Sequence, residues 1–113
     1  MGTASSQLDP EVTEKVSRDV NDLISKHRVV IFAKNICPYC HMAKNVFIEM
    51  NEAYHWVDLS KRPDGREMQY FLADLTGQST VPRVFVNGKC IGGGQETQEL
   101  YKKGILQNLL NQS

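Results

Sequence analysis

One short stretch decides the fold: Lys34-Asn35-Ile36-Cys37-Pro38-Tyr39-Cys40. It follows an uncharged, mostly β-favouring run at residues 29–33 and precedes an amphipathic helical pattern. The stretch therefore predicts a junction at which a buried strand ends and a helix begins. Cys37 is expected at or just before the helix N-terminus, where unpaired backbone N–H groups and the helix dipole favour an anion such as a thiolate.

The spacing of the two cysteines predicts redox chemistry. Helix N-termini and neighbouring cations lower the pKa of cysteines in Cys-x-x-Cys motifs, and Lys34 is placed to supply such a cation. We expect Cys37 to be the nucleophile and Cys40, about one helical turn on, to resolve the mixed disulfide that Cys37 forms. Half of a zinc site is the alternative, but Cys90 and the three histidines offer no second paired spacing.

Composition restricts the class of protein. A chain of 113 residues predicts one domain, residues 9–113, after a disordered lead-in, residues 1–8. Thirteen basic side chains balance thirteen acidic ones, which argues against nucleic acid or an anionic membrane as partner. No apolar run approaches the ~20 residues of a membrane span. An odd number of cysteines and the lack of an apolar signal core favour a reducing compartment, and the cytoplasm is the expected one. The first six residues also match the minimal pattern for N-myristoylation.

Helical and strand patterns alternate along the chain. Apolar spacing predicts helices over 10–26, 38–50, 64–76, 96–101 and 105–110, and strands over 29–33, 54–58, 83–86 and 89–91. Asp64 and Glu67 are expected to form a capping box, and Asn87-Gly88 predicts a hairpin. The strand, helix, strand order around the cysteines predicts parallel pairing. Together these patterns predict the α/β class, with a four-stranded mixed sheet and helices on both faces.

Four short motifs resemble those of one family. They are Cys37-Pro38-Tyr39-Cys40 with Lys34 before it, Thr80-Val81-Pro82, Asn87-Gly88-Lys89, and Ile91-Gly92-Gly93. In this order and spacing they resemble a dithiol glutaredoxin of the CPYC type, within the thioredoxin-like superfamily, over nearly the whole chain. Thioredoxins instead carry a tryptophan before the first cysteine and a Gly-Pro pair between the cysteines. The resemblance implies the thioredoxin-like fold.

The resemblance also implies a groove for glutathione beside Cys37. It implies a cis bond before Pro82, which aims Val81 at the active site so that its backbone pairs with the cysteinyl part of glutathione. Thr80 belongs to the same segment. Tyr39 is implied to pack beside the bound tripeptide at the rim of the site.

The two ends of the tripeptide are implied to meet different residues. Lys34 and Gln69 would hold the glycine carboxylate. Gly93, like Gly92, lets the backbone approach the ligand closely. The N–H of Thr97, at a helix start, would bind the γ-glutamyl carboxylate, and the carboxylate of Glu96 would meet the γ-glutamyl amine. Many relatives carry aspartate in place of Glu96.

The function that follows is a glutathione-dependent thiol–disulfide oxidoreductase that reduces protein–glutathione mixed disulfides and protein disulfides. Glutathione is then the co-substrate and no metal is expected. The partners are glutathionylated or disulfide-containing proteins and, indirectly, the glutathione reductase and NADPH system. We expect a monomer. Cys90, on the last strand, is expected to be a small buried hydrophobe.

Two other functions stay open. In some glutaredoxins, two subunits and two glutathiones ligate a [2Fe-2S] cluster through the first cysteine, which would make the chain an iron–sulfur carrier or redox sensor. Pro38 argues against this, because it stiffens the first turn of the helix. A thioredoxin-type reductase served by a flavoprotein is the second alternative, and the absence of tryptophan before Cys37 argues against it.

Overall fold

The computed structural model describes residues 9–112, which form five α-helices, four strands and one 3-10 turn. The elements follow one another as α1 (Pro10–Lys26), β1 (Val29–Ala33), α2 (Pro38–Glu49), β2 (His55–Asp58), the 3-10 turn (Leu59–Lys61), α3 (Gly65–Thr76), β3 (Arg83–Val86), β4 (Lys89–Gly92), α4 (Gly94–Lys102) and α5 (Ile105–Asn111). The predicted lead-in and the myristoylation pattern at residues 1–8 lie outside the described residues. In the part that is described, no helix is long and apolar enough to cross a membrane.

The four strands form one mixed sheet in the order β2-β1-β3-β4. β1 runs parallel to β2 and antiparallel to β3, and β3 and β4 form an antiparallel hairpin. At the hairpin turn both Asn87 and Gly88 have positive φ angles, 50° and 83°, as a two-residue turn of the favoured type requires. The predicted sheet and hairpin are confirmed.

The sheet carries a hydrophobic core on each face. All five residues of β1 are buried, since this central strand is covered on both sides. Alternate residues of β1 therefore enter different cores. Val29, Ile31 and Ala33 pack with α2 and α5, whereas Val30 and Phe32 pack with α1 and α3.

Two helix starts differ from the sequence prediction. The capping box at α3 does not form: the Asp64 side chain makes no cap hydrogen bond and instead accepts from Arg62 Nε at 2.8 Å. Arg62 occupies both carboxylate oxygens of Asp64, with Nε 2.8 Å from Oδ1 and Nη2 3.2 Å from Oδ2, and such a two-bond arginine–carboxylate pair is stronger than a single cap bond. α4 begins at Gly94 rather than at Glu96, and its capping residue is Gly93.

Candidate functional site

Cys37 and Cys40 lie at the N-terminus of α2 and form a disulfide, with their Cα atoms 5.2 Å apart. Cys37 is the N-cap residue, and its Sγ accepts a hydrogen bond from the N–H of Cys40 at 3.2 Å. Pro38 occupies the first helical position, where its missing N–H costs nothing. The predicted strand-to-helix junction is confirmed, and the N–H at this helix end already points at the sulfur of Cys37.

The two cysteines are not equally exposed. Cys40 is completely buried in the core under α2, whereas Cys37 is partly exposed and only packs against the edge of that core. An incoming disulfide therefore meets Cys37 first. The predicted division of roles, with Cys37 as nucleophile and Cys40 as resolving thiol, agrees with this difference in exposure and stays a prediction.

The segment opposite Cys37 precedes β3. The peptide bond between Val81 and Pro82 is cis, as expected from the resemblance, and the Val81 carbonyl oxygen lies 3.9 Å from Cys37 Sγ. The Val81 backbone thus lies directly beside the reactive sulfur.

Arg83 fixes this segment by hydrogen bonds to its backbone, a role that was not predicted from the sequence. Its Nε donates to the carbonyl oxygens of Thr80, at 3.0 Å, and Pro82, at 2.9 Å. These two carbonyls lie on either side of Val81. A charged residue as the first residue of a buried strand was the sequence feature that pointed to a special role, since arginine is almost never fully buried unless it is paired.

A groove of about 760 Å³ runs from Tyr39 past the Val81 segment to the start of α4. Six of the predicted glutathione-binding residues line it: Tyr39, Thr80, Val81, Pro82, Gly93 and Glu96. Arg83 and Cys90 line it as well. The structure thus brings together residues that are more than fifty positions apart in the sequence.

Three predicted binding residues lie outside the lining of this groove: Lys34, Gln69 and Thr97. Lys34 is half-buried just after the end of β1. Gln69 donates from Nε2 to the carbonyl oxygen of Ser79 at 2.7 Å, so it supports the segment that leads into Thr80. Their roles toward a ligand stay predictions.

The start of α4 revises the expectation for Thr97. Its N–H donates to the carbonyl oxygen of Gly93 at 3.0 Å, its hydroxyl donates to the same oxygen at 2.8 Å, and the side chain is completely buried. The N–H of Thr97 therefore makes the first backbone hydrogen bond of α4. Because the first ladder hydrogen bond of the helix is that from Thr97 to Gly93, the N–H groups of Gly94, Gln95 and Glu96 have no carbonyl partner within the helix.

Glu96 already has a partner in the structure. Its Oε1 accepts the backbone N–H of Gly93 at 2.8 Å, which closes one half of a capping box. The side chain is exposed and lines the groove, so its carboxylate remains accessible.

Two other residues weighed from the sequence have structural partners. His41 lies with Nε2 3.0 Å from the carbonyl oxygen of Asn35, and its ring stacks on Trp56 at a centroid distance of 5.5 Å. Cys90 is half-buried, is paired with Phe85 across the hairpin and packs against the α1–α3 core. Within residues 9–112, no group of three or more His, Cys, Asp or Glu residues is arranged to hold a metal ion.

Comparisons with known proteins agree with this geometry. The family model described as Glutaredoxin matches residues 29–91. Glutaredoxin-C4 of Arabidopsis thaliana is 45% identical over 94 residues, which cover 83% of this chain and 70% of the relative. Mitochondrial glutaredoxin-2 of Mus musculus is 41% identical over 112 residues, 99% of this chain and 72% of the relative.

Solved structures show the same fold. The structure of a buckwheat glutaredoxin–glutathione complex superposes with a TM-score of 0.88 at 32% identity, covering 91% of this chain and 94% of that chain. The thioredoxin-like fold class is thereby confirmed. A Cys-x-x-Cys pair at a helix N-terminus, the family model and these relatives together lead to one conclusion: the chain belongs to the glutaredoxin family of thiol–disulfide oxidoreductases.

Proposed function

We propose that this glutaredoxin uses glutathione to reduce protein–glutathione mixed disulfides and protein disulfides. One observation carries the proposal: Cys37 is partly exposed, and its sulfur lies 3.9 Å from the backbone carbonyl of Val81, which lines a groove of about 760 Å³. A groove beside the nucleophile provides room for a tripeptide that stays on Cys37 between two half-reactions. The glutathione complex of the buckwheat relative supports glutathione as that tripeptide.

The first half-reaction takes place on a protein–glutathione mixed disulfide. The Cys37 thiolate attacks the glutathione sulfur, the protein–glutathione S–S bond breaks, and the protein thiolate leaves and takes up a proton. Glutathione is then joined to Cys37. In the second half-reaction a second glutathione thiolate attacks the bound glutathione sulfur, which releases glutathione disulfide and restores the Cys37 thiolate.

Protein disulfides follow a route that also needs Cys40. Cys37 attacks one sulfur of the substrate and forms a mixed disulfide with it, and the other substrate sulfur leaves as a thiol. Cys40 then attacks Cys37, the second substrate thiol leaves, and the Cys37–Cys40 disulfide of the present structure forms. Two glutathiones reduce this disulfide. Burial of Cys40 restricts it to this intramolecular step.

Glutathione would lie along the groove with its cysteinyl backbone paired to Val81. Its γ-glutamyl end would meet the start of α4, where the N–H groups of Gly94 and Gln95 favour a carboxylate and Glu96 favours the amine. Lys34, with Gln69, would hold the glycine carboxylate at the other end. We further propose that the chain acts as a monomer in a reducing compartment, with the cytoplasm as first candidate.

A coupled assay tests the dependence on glutathione. We expect NADPH consumption with a glutathionylated peptide to require both glutathione and glutathione reductase. Thioredoxin reductase supplied alone should not replace them. Equal turnover with thioredoxin reductase in the absence of glutathione would contradict the proposal and favour the flavoprotein-served alternative.

A further inference from the structure

Arg83 is a buried cation without an anionic partner. Its side chain is 8% exposed, and within residues 9–112 none of its nitrogens lies within 4.0 Å of a carboxylate oxygen. Nε is occupied by the carbonyl oxygens of Thr80 and Pro82. Two carbonyls satisfy one edge of the guanidinium but do not neutralise its charge. Burying a charge without a counter-ion is costly, so this arrangement favours an anion supplied from outside the chain.

The unpaired edge of the guanidinium lies at Gly93, on the groove. A Cβ atom placed on Gly93 would lie 3.1 Å from Nη2 of Arg83 and 3.1 Å from Oε1 of Glu96. The cation and the carboxylate therefore flank the same backbone position from two directions. They form no ion pair, and both residues line the groove.

A pair of opposite charges separated in this way matches a ligand end that carries opposite charges itself. The γ-glutamyl end of glutathione carries an α-carboxylate and an α-ammonium on one carbon. The glycine end carries a carboxylate alone. Only the γ-glutamyl end can satisfy Arg83 and Glu96 together.

We propose that Arg83 binds the α-carboxylate of the γ-glutamyl residue and is a specificity-determining residue for glutathione. The inference rests on the proposed use of glutathione. The planar guanidinium presents donors along two edges: Nε fixes one edge on the carbonyls around Val81, which leaves the Nη edge pre-set for a carboxylate. Lysine, with one point charge, cannot serve both edges at once.

The test uses two altered forms of glutathione. In one the γ-glutamyl α-carboxylate is converted to an amide, and in the other the glycine carboxylate is. Each is joined by a disulfide to the same peptide, and kcat/KM is measured for the wild-type chain and for Arg83→Gln, with ordinary glutathione as reductant. Glutamine keeps one amide donor at this position but lacks the positive charge and the Nη donors of the guanidinium. Arg66→Gln, on the exposed face of α3, is the matched control variant.

For the wild type we expect the γ-glutamyl amide to lower kcat/KM about ten- to a hundredfold, the range for a hydrogen bond between charged groups. Arg83→Gln should lose a similar factor with ordinary mixed disulfide and show no further loss with the γ-glutamyl amide. The two changes remove the same contact, so they do not add. The glycine amide should lower kcat/KM equally in wild type, Arg83→Gln and Arg66→Gln.

The inference would be overturned if the γ-glutamyl amide lowered the kcat/KM of Arg83→Gln by as large a factor as that of the wild type. Arg83 would then only support the Val81 segment. If Arg83→Gln melts at a much lower temperature, Arg83→Lys is measured instead. Lysine keeps the cation, so the ratio of kcat/KM between the ordinary mixed disulfide and the γ-glutamyl amide should fall only in part. A lower kcat/KM with the same ratio as in the wild type would contradict the inference. A wild type that is active without glutathione and indifferent to both amides would refute the proposed function itself.

Discussion

Cys37 and Cys40 share one motif but not one environment. Cys37 is accessible and accepts the N–H of Cys40, whereas Cys40 is completely buried. We expect Cys37→Ser to abolish both deglutathionylation and the reduction of protein disulfides. Cys40→Ser should keep deglutathionylation near the wild-type rate and lose reduction of protein disulfides, since only that route needs an internal second thiol.

The measurement compares both variants on a glutathionylated peptide and on a peptide disulfide, with glutathione as reductant. Cys90→Ser removes a thiol that the mechanism does not use and should keep both reactions; since Cys90 lines the groove, only KM should change. Equal losses in Cys37→Ser and Cys40→Ser on the glutathionylated peptide would refute the division of roles.

At the scale of single residues, the sequence predicts what local chemistry dictates. Cys37 and Pro38 are predictable because a cap position and a first helical position have strong residue preferences. The role of Arg83 could not be predicted from the sequence, because it depends on a hydrogen bond from its side chain to the backbone of the loop that precedes it. Thr97 was assigned a free N–H because the start of α4 was placed two residues too late.

At the scale of helices, α2 and α4 pack closely where both begin. A Cβ atom on Gly94 would lie 2.5 Å from the carbonyl oxygen of Tyr39, which is backbone and cannot swing away. We expect Gly94→Ala to push the starts of the two helices apart and to destabilise the chain by about 1–3 kcal/mol, as overpacking does. The KM for a glutathionylated peptide should rise, because Tyr39 and Gly94 both line the groove.

Thermal melts and steady-state kinetics check this expectation. Glu99→Ala, an exposed position on the same helix, is the control and should change neither quantity appreciably. An unchanged or raised melting temperature in Gly94→Ala would show that the contact is more compliant than the structure indicates.

Helix bodies were more predictable than helix starts. The apolar stripe of α1 repeats at helical spacing, and the run of β1 is continuous, mostly β-branched and too short for a helix, so both were predicted with their observed bounds. The start of α3 depends on whether Asp64 caps the helix or pairs with Arg62, and the two outcomes look alike in sequence.

At the scale of the whole molecule, the sheet topology assembles the site. β3 runs antiparallel to β1, with Arg83 opposite Phe32, so the start of β3 lies beside the end of β1. β4 then returns the chain to the same end of the sheet, where α4 begins. Sequence patterns predicted this order of elements, but the width of the groove depends on side-chain packing between elements that are distant in the chain.

Global stability should depend on pH through His55. Its ring stacks on that of His27 at 4.0 Å, and burial, followed by repulsion from His27, lowers the pKa of His55 below its ordinary value of 6.5. The folded state therefore binds this proton less readily than the unfolded state. Stability is fully present above pH 6.5 and falls as the pH drops from there toward the lower folded pKa.

Melting temperatures between pH 7.5 and 5 measure this dependence. His55→Gln should flatten the profile over this window, and His27→Gln should flatten it in part by removing the repulsion. His41→Gln, which leaves the stacked pair intact, serves as the control with a profile like that of the wild type. A His55→Gln profile as steep as that of the wild type would assign the pH dependence to other groups.

In the proposed mechanism Cys37 takes glutathione, and not the protein, from a mixed disulfide. The direct measurement is mass spectrometry of the reduced Cys40→Ser chain after mixing with a glutathionylated peptide. We predict one glutathione attached to Cys37 and a peptide released as the free thiol. Attachment of the peptide to Cys37 with release of glutathione, or no transfer at all, would contradict the account.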